Sequence, residues 1–325
     1  MKRKNNPKPD HYPVLVVSDT HLGMGNSSTD LLVEFLQNVT CDRLILNGDI
    51  IDGWRINMHK PEAFSEAQLR VMDAINRMIA AGTEVIYIPG NHDSELRRMN
   101  LFGKTLHGLR FEPDFEFTDP KGRKLFVCHG DRFDPMQQGH DPMNTGPGAA
   151  QKPPGNIKKT IGRGQMLLID RGYEAGSKVS TIIDKVSERL LHKSVGLFSR
   201  LRNALEGAAG TKGGMEKAAI EHAKAGKYDG IICGHFHMSA HRQQDGKLYL
   251  NSGDWVESYT ALAMTKDGDW KVVEWTKERQ EKGLKRSFRQ AANDNPDKAF
   301  RPATEKIVAD IRKIWPGRKP KPPTP

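Results

Sequence analysis

The chain has 325 residues, of which 37% are hydrophobic and 28% are charged, and three are cysteines. This composition excludes collagen-like, wholly disordered and disulfide-rich classes, and the length allows two domains or one domain with an insertion. The net charge of +10 predicts attraction to something anionic, such as nucleic acid, a membrane surface or a phosphorylated substrate. Because the sequence has neither a membrane-spanning run nor a signal-peptide pattern, we expect a cytoplasmic protein with reduced cysteines.

After a basic arm at residues 1–11, short apolar runs alternate with helical patterns, which is typical of βαβ units. The first predicted strands are residues 14–17, 44–46, 85–88 and 125–127. Helical spacing is found at residues 30–37 and 62–81. Strand patterns return at residues 231–232, 248–250, 261–264 and 272–275. Asp245-Gly246 and Asp267-Gly268 favour hairpin turns between these last strands, so we predict two sheets, one largely of βαβ units and one ending in antiparallel hairpins.

The two strand-rich regions, residues 12–132 and 229–280, are predicted to form one core. Between them, residues 133–228 begin with a stretch rich in glycine and proline and continue with helical patterns. This composition predicts a helical insertion or lid. Residues 281–325 form a basic tail with one short amphipathic segment at 304–315, which we interpret as solvated or as a weak contact with lipid headgroups.

Five segments share one design, in which a strand ends and polar side chains suited to metal binding follow within three residues. They are Asp19-Thr20-His21, Gly48-Asp49, Gly90-Asn91-His92-Asp93, His129-Gly130-Asp131 and Gly234-His235-Phe236-His237. Strand carboxyl ends in open α/β folds meet at one crevice, and carboxylates, imidazoles and amide carbonyls suit hard or borderline divalent cations. Each segment alone is more commonly a turn or cap, but the five together predict a metal centre. Asp49 is the candidate bridge between two ions, and Asp52 is placed to hold a ligand or a nearby loop.

These segments, in this order and spacing, resemble the calcineurin-like metallophosphoesterase family over about residues 12–265, apart from the insertion. The resemblance implies a four-layer αββα sandwich and a hydrolase that uses two divalent ions, commonly manganese. By the same resemblance, one ion would be held by Asp19, His21, Asp49 and His237. The other would be held by Asp49, Asn91, His129 and His235.

The resemblance also makes His92 the histidine that does not bind metal, and Asp93 the acid that orients it. Two cations lower the pKa of bound water and neutralise phosphoryl oxygens, so the reaction needs no protein nucleophile. His92 would protonate the leaving oxygen or stabilise its developing charge.

Residues 46–54 and 251–258 resemble the UDP-2,3-diacylglucosamine pyrophosphatase-like branch, which hydrolyses a nucleotide-linked precursor of lipid A. His92 departs from the characterised lipid A enzymes, which carry arginine there. A related set of bacterial proteins with the Gly-Asp-Trp-Val-Glu-Ser segment of residues 253–258 acts as a phospholipase C on glycerophospholipids such as phosphatidylcholine, and this is the alternative function.

Two further readings carry less support. A nuclease or cyclic-nucleotide phosphodiesterase is compatible with the basic charge. No nucleic-acid partner is expected, however, because the helical part of the insertion offers only Tyr173 and Phe198 for stacking. A binding module without catalysis is disfavoured because every ligand position of the family is filled.

The insertion supports a lipid substrate independently of the resemblance. Apolar residues recur there at helical spacing, and the candidate lipid-binding residues are Ile182, Ile183, Val186, Leu190 and Phe198. Residues 158–205 contain ten lysines and arginines against four acids, as in helices that lie on anionic membranes. The same face fits equally well a helix that packs on its own protein. We expect an anionic membrane surface as partner and a peripheral position on the inner face of the cell membrane.

Overall fold

The computed structural model describes residues 9–23, 29–53, 64–99, 101–134, 211–284 and 296–314. The chain divides into two compact units, one formed by Met1–Asp131 with Ala223–Pro325 and one by Arg132–His222. Residues 135–210 lie outside the described residues, so the predicted insertion at 133–228 stays a prediction. Within the described ranges, no helix is both long and apolar enough to span a membrane.

Strands and helices alternate in the first half of the chain, as the apolar pattern predicts. The described strands are β1 (Asp10–Val17), β2 (Val39–Asn47), β3 (Glu84–Ile88), β4 (Lys104–Leu106), β5 (Leu109–Phe111), β6 (Phe115–Thr118), β7 (Lys124–Val127), β8 (Gly230–Cys233), β9 (Ala240–Gln244), β10 (Lys247–Asn251), β11 (Thr260–Met264) and β12 (Trp270–Glu274). The described α-helices are α1 (Thr29–Asn38), α2 (Glu66–Ala80), α3 (Glu95–Arg98), α4 (Thr211–Ala225), α5 (Trp275–Glu281) and α6 (Arg301–Ile314).

Two sheets are formed by these strands. The first has the order β12-β11-β1-β2-β3-β5-β4, and its strands β1, β2, β3 and β5 are parallel. The second has the order β6-β7-β8-β10-β9, with β7, β8 and β10 parallel. The parallel strands of each sheet therefore present their carboxyl ends at one edge, which is where ligand-binding loops are placed in such folds.

Both predicted hairpin turns are present, but they lie in different sheets. Asp245-Gly246 joins β9 to β10 in the second sheet, and both residues have positive φ. Asp267-Gly268 lies between β11 and β12, which extend the first sheet beyond β1. The prediction that the hairpins end one separate sheet is therefore wrong. Every residue of β11 is buried, which suits a strand with neighbours on both sides.

The apolar core has two layers because both faces of the first sheet are buried. In β1, Val14 and Val16 pack between the two sheets, in one cluster with residues such as Leu125 and Ile232. Leu15 belongs to the other cluster, which helices α1, α2 and α6 cover. Burial on both faces explains why β1 is continuously apolar rather than alternating. The predicted α/β class and two-sheet sandwich are confirmed. In the first unit, a layer of helices covers the first sheet, and the first sheet packs on the second.

The C-terminal segment differs from the expected solvated tail or headgroup contact. Residues 301–314 form α6, in which Ile307, Val308 and Ile311 are buried in the core. Its first turn is fixed to α2, because Arg301 donates to Asp73 at 2.8 to 3.1 Å. The amphipathic pattern of this segment therefore packs against the protein itself. Residues 315–325 lie outside the described part of the chain.

Candidate metal centre

The predicted ligands follow strands of both sheets. Asp19 comes after β1, Asp49 after β2 and Asn91 after β3, while His129 follows β7 and His235 follows β8. Six of the seven ligands form groups whose nitrogen and oxygen atoms lie within 4.8 Å of one another. The strand ends thus converge as the sequence pattern predicts.

The first group contains Asp19, His21 and His237. Nε2 of His237 lies 3.2 Å from Oδ1 of Asp19 and 3.3 Å from Nε2 of His21. Two imidazole nitrogens at that separation, if both carry lone pairs, repel unless a proton or a cation lies between them. With the neighbouring carboxylate, the donor set fits a divalent cation.

The second group contains Asp49, His129 and His235. Nδ1 of His129 lies 2.9 Å from the carbonyl oxygen of Asn47, so it donates its proton there and turns Nε2 towards Asp49 at 3.3 Å. This arrangement fixes the tautomer in the way that is usual for metal-binding histidines. Nearby, Oδ1 of Asn91 is buried and has no hydrogen-bond partner among the described residues. An unsatisfied buried acceptor fits a site built for a cation.

Asp49 lies between the two groups. Its Oδ2 atom is 3.3 Å from Nε2 of His129 and 3.9 Å from Nε2 of His21. Its Oδ1 atom accepts a hydrogen bond from the backbone N–H of His92 at 2.8 Å. A buried carboxylate with ligand nitrogens on either side is placed to bridge two cations.

Backbone strain is concentrated at the ligands. Five of the seven proposed ligands have φ between 45° and 63°: Asp19, His21, Asp49, His235 and His237. This left-handed conformation is uncommon for residues with a Cβ and costs roughly 1–3 kcal/mol at each position. The surrounding structure holds each loop in the conformation that turns its side chain into the centre, and such strain clusters at functional sites.

The glycines of the motifs allow the loops to approach closely. A Cβ on Gly90 would lie 2.2 Å from Oδ1 of Asp49, and a Cβ on Gly234 would lie 2.6 Å from Oδ2 of Asp19. Neither position has room for a side chain. The glycines next to the ligands are therefore part of the site's geometry.

The charges of the site suit cation binding. Burial opposes ionisation of Asp49, but His129 and His92 outweigh it and lower the pKa of that carboxyl well below its usual value. Burial lowers the pKa of His21 to about 4, so this imidazole is neutral at pH 7. For His129, burial is outweighed by Asp49, which raises the pKa well above its usual value. A cation that binds His129 must therefore displace a proton.

His92 lies at the edge of the centre, with its ring 4.6 Å from that of His21. Nδ1 of His92 is 3.3 Å from Oδ1 of Asp52. Burial lowers the pKa of His92, but Asp49 and Asp52 outweigh this effect and raise it, which favours the protonated form. The imidazole is thus equipped to donate a proton.

The expectation that Asp93 orients His92 is not met. Its carboxylate accepts hydrogen bonds from the hydroxyl of Tyr87 at 2.7 Å and from the backbone N–H groups of Gly90 and Ile50. These amides surround the carboxylate, so Asp93 holds the loops that carry the ligands. Asp52 lies where we expected it, next to a ligand and its loop: Oδ2 is 4.0 Å from Nδ1 of His21, and the backbone N–H donates to the carbonyl of Leu22 at 2.8 Å. Its Oδ1 atom also approaches the imidazole of His92.

Sequence reasoning missed two groups of residues that support the site. Arg97 joins the loops after β3 and β7 and left no signal in the sequence pattern. The end of β10 joins the loops after β1 and β8: Asn251, its last residue, donates to the carbonyl of Gly234 at 2.8 Å, and the hydroxyls of Ser18 and Ser252 are 2.7 Å apart. Residues 251–258 were noted in the sequence for their resemblance, and their position at a strand end could also have indicated this supporting role.

The candidate lipid-binding residues lie outside the described residues. They are Ile182, Ile183, Val186, Leu190 and Phe198. Their contact with lipid stays a prediction from their spacing and from the basic charge around them.

The profile of the calcineurin-like phosphoesterase family matches residues 12–239. The chain belongs to this family, and it is a metal-dependent phosphoester hydrolase. The predicted family and enzyme class are confirmed.

Two of the curated proteins that are similar to this chain are UDP-2,3-diacylglucosamine hydrolases. The protein of Neisseria meningitidis serogroup C / serotype 2a is 23% identical over 269 residues, which cover 80% of this chain and 96% of the relative. The protein of Actinobacillus succinogenes is 27% identical over 121 residues, or 35% of this chain and about half (47%) of the relative. A solved archaeal phosphodiesterase aligns over 80% of this chain and 98% of its own, with 14% identity and a TM-score of 0.34.

Proposed function

We propose that the chain uses two divalent ions to hydrolyse a phosphodiester or pyrophosphate bond of a membrane lipid, and that the substrate is UDP-2,3-diacylglucosamine. The observation that carries the two-ion proposal is the position of Asp49 between two groups of ligands. The names of the relatives at 23–27% identity support the lipid-linked nucleotide as substrate. In this proposal the protein works at an anionic membrane surface on the cytoplasmic side.

The residues divide between the two ions as the family resemblance implies. One ion is held by Asp19, His21, Asp49 and His237. The other is held by Asp49, Asn91, His129 and His235. We propose manganese as the metal; when bound, the pair of ions activates water and neutralises phosphoryl oxygens.

His92 acts as the proton donor to the leaving oxygen, and Asp52 orients it. The 3.3 Å separation between Nδ1 of His92 and Oδ1 of Asp52 supports this assignment. With Nδ1 turned towards Asp52, the opposite nitrogen carries the transferable proton. The raised pKa of His92 keeps that proton available near neutral pH.

His92 also supports a second candidate function. The characterised lipid A enzymes carry arginine at this position, whereas a histidine is a general acid suited to many phosphoesters. The second candidate is hydrolysis of glycerophospholipids such as phosphatidylcholine to diacylglycerol and a phosphorylated head group.

A substrate comparison distinguishes these functions. The manganese-loaded protein is incubated with UDP-2,3-diacylglucosamine, phosphatidylcholine or bis-p-nitrophenyl phosphate, and the products are identified by mass. Cleavage of the pyrophosphate, which yields UMP and a lipid monophosphate, is the expected result. Diacylglycerol from phosphatidylcholine, without cleavage of the nucleotide lipid, would replace the first candidate with the second. Hydrolysis of the small diester alone would contradict a lipid substrate.

The Asp49→Asn variant tests the two-ion proposal. The purified wild type is expected to contain two divalent ions per chain, and the variant is expected to lose hydrolysis because an amide bridges two cations poorly. Metal content by mass spectrometry and turnover are measured on the same samples. A fully active wild type with a single ion would contradict the assignment.

A further inference from the structure

Arg97 connects the two loops that carry Asn91 and His129. Its guanidinium group donates to both carboxylate oxygens of Asp131, at 2.9 and 3.1 Å. It also donates to the carbonyl oxygen of Pro89, at 2.8 and 3.2 Å. One planar side chain therefore fixes the end of β3 to the loop after β7. A guanidinium that donates two parallel hydrogen bonds fixes the orientation of its partner as well as the distance to it, which the ammonium group of a lysine does not do.

The partners of Arg97 lie two residues from proposed ligands. Pro89 precedes Asn91 by two positions, and Asp131 follows His129 by two positions. Both Arg97 and Asp131 are largely buried, with side chains 13% and 5% exposed. Their ion pair is therefore little screened by solvent and holds its geometry more firmly than a surface pair.

Gly90 shows how little the spacing of these loops can change. A Cβ at this residue would lie 2.7 Å from Cδ2 of His129, so the backbone next to Pro89 already touches the imidazole. A shift of the loop after β3 would press on His129 or withdraw Asn91 from it. The distance between these two ligands thus depends on what fixes Pro89 relative to Asp131.

We propose that Arg97 is a positioning residue that sets the spacing between Asn91 and His129, and thereby the affinity of one of the two metal ions. This inference rests on the proposed two-ion function. It predicts an asymmetric effect, because Asp19 and His237 follow β1 and β8, whose loops are joined by Asn251 and Ser252 at the end of β10. The ion held by Asn91 and His129 depends most on Arg97. The loop after β3 reaches the other ion only through Asp49, whose Oδ1 accepts from the backbone N–H of His92.

Arg123 provides a matched control. It also joins two loops, because it donates to Asp119 at 2.7 Å and to the carbonyl of Gly268 at 2.6 Å. Its carboxylate partner is also buried, with 0% of the side chain exposed. Neither the loop that contains Asp119 nor the loop that contains Gly268 includes a proposed metal ligand. The Arg123→Lys variant therefore removes a guanidinium that joins two loops through a buried carboxylate and a carbonyl, without touching the metal centre.

The test is titration of the full-length, metal-free protein with Mn²⁺ by calorimetry, on wild type, Arg97→Lys and Arg123→Lys. The wild type is expected to bind two ions. Arg97→Lys is expected to bind one of them about 10- to 100-fold more weakly, the usual effect of losing a partner behind the ligands, and to change the affinity for the other much less. Electron paramagnetic resonance should then show an isolated Mn²⁺ where the wild type shows a coupled pair. Arg123→Lys is expected to match the wild type.

A second variant distinguishes a specific effect on metal binding from a general loss of folding. Asp131→Asn keeps the size of the side chain and one acceptor for Arg97. It is expected to lower the affinity for the same ion by a smaller factor. The unfolding temperature is recorded for every sample. The inference would be overturned if Arg97→Lys bound both ions equally weakly or bound both as tightly as the wild type. It would also be overturned if Arg123→Lys showed the same effect, or if the wild type bound a single ion. A wild type that binds two ions with the expected asymmetry but cleaves no lipid would leave the inference intact and overturn the proposed substrate.

Discussion

Gly90 is the residue at which the backbone comes closest to the metal ligands. An added Cβ would lie 2.2 Å from Oδ1 of Asp49 and 2.7 Å from Cδ2 of His129. Neither neighbour can retreat, because Asp49 is buried and strained and His129 is fixed to Asn47. The Gly90→Ala variant is therefore expected to lose most of its bound metal and its activity, measured by metal analysis and turnover.

The control for Gly90 is Gly214 in α4. It is exposed, has no unusual φ and would have open space around a Cβ. Gly214→Ala is expected to keep metal and activity and to raise stability slightly, because alanine favours helix by roughly 1 kcal/mol. Retention of both ions in Gly90→Ala would show that the loop has more freedom than these distances allow.

His92 offers a second test at the residue scale. Its Nδ1 atom lies 3.3 Å from Oδ1 of Asp52, and its ring also lies beside the ligands His21 and Asp49. The His92→Ala variant is expected to keep both ions while turnover falls by about two to four orders of magnitude, the scale of losing a general acid. Loss of metal in this variant would make His92 a ligand. Unchanged turnover on a substrate with a poor leaving group would remove its catalytic role.

Helix α6 shows how packing redirects an amphipathic pattern. Ile307 and Ile311 are one turn apart and are buried against the helical face of the first sheet. Ile311→Ala is expected to lower the free energy of unfolding by about 2–5 kcal/mol, because it removes buried methyl groups and leaves a cavity. Denaturant unfolding measures the change. Lys306→Ala, at an exposed position of the same helix, is expected to change stability by less than about 0.5 kcal/mol, and equal effects would mean that α6 is not packed as described.

Elements were predictable where their patterns are long or strongly apolar. Strands β1, β2, β3, β7 and β8 carry continuous runs of buried residues, and α2 has a clear helical period with Ser65 as its N-cap. Strands β4 and β5 have three residues each, and β9 exposes most of its side chains, so their patterns are too short or too polar to read. The placement of the hairpin of β11 and β12 depends on which sheet edge is open, which local sequence does not encode.

At the scale of the whole molecule, the site assembles from loops of both sheets. The residue types that follow the strands were enough to place the ligands together, because parallel strands bring their ends to one edge. The residues behind the ligands were less predictable. Asp93 is next to His92 in sequence but binds backbone amides, while Asp52 reaches the imidazole from the loop after β2. Such partners depend on how separate loops pack, as the contact between Arg97 and Asp131 also shows.

The lipid specificity of the whole molecule is predicted to depend on the insertion. Its apolar series, which includes Ile183 and Leu190, lies in a segment with a net charge of +6, outside the described residues. If acyl chains bind there, replacing Ile183 and Leu190 with serine should impair hydrolysis of a long-chain lipid and spare a small soluble diester. Only the long-chain substrate gains binding energy from an apolar contact far from the reacting bond.

Turnover of both substrates by the same double variant gives an internal comparison. The wild type should also bind anionic vesicles, more weakly as salt rises, because basic side chains near the surface are screened over a distance of about 8–10 Å. Sedimentation with vesicles at several salt concentrations measures this binding. Equal losses on both substrates, together with a lower unfolding temperature, would show that this face packs within the protein, and the assignment of a lipid substrate would then rest on similarity to relatives alone.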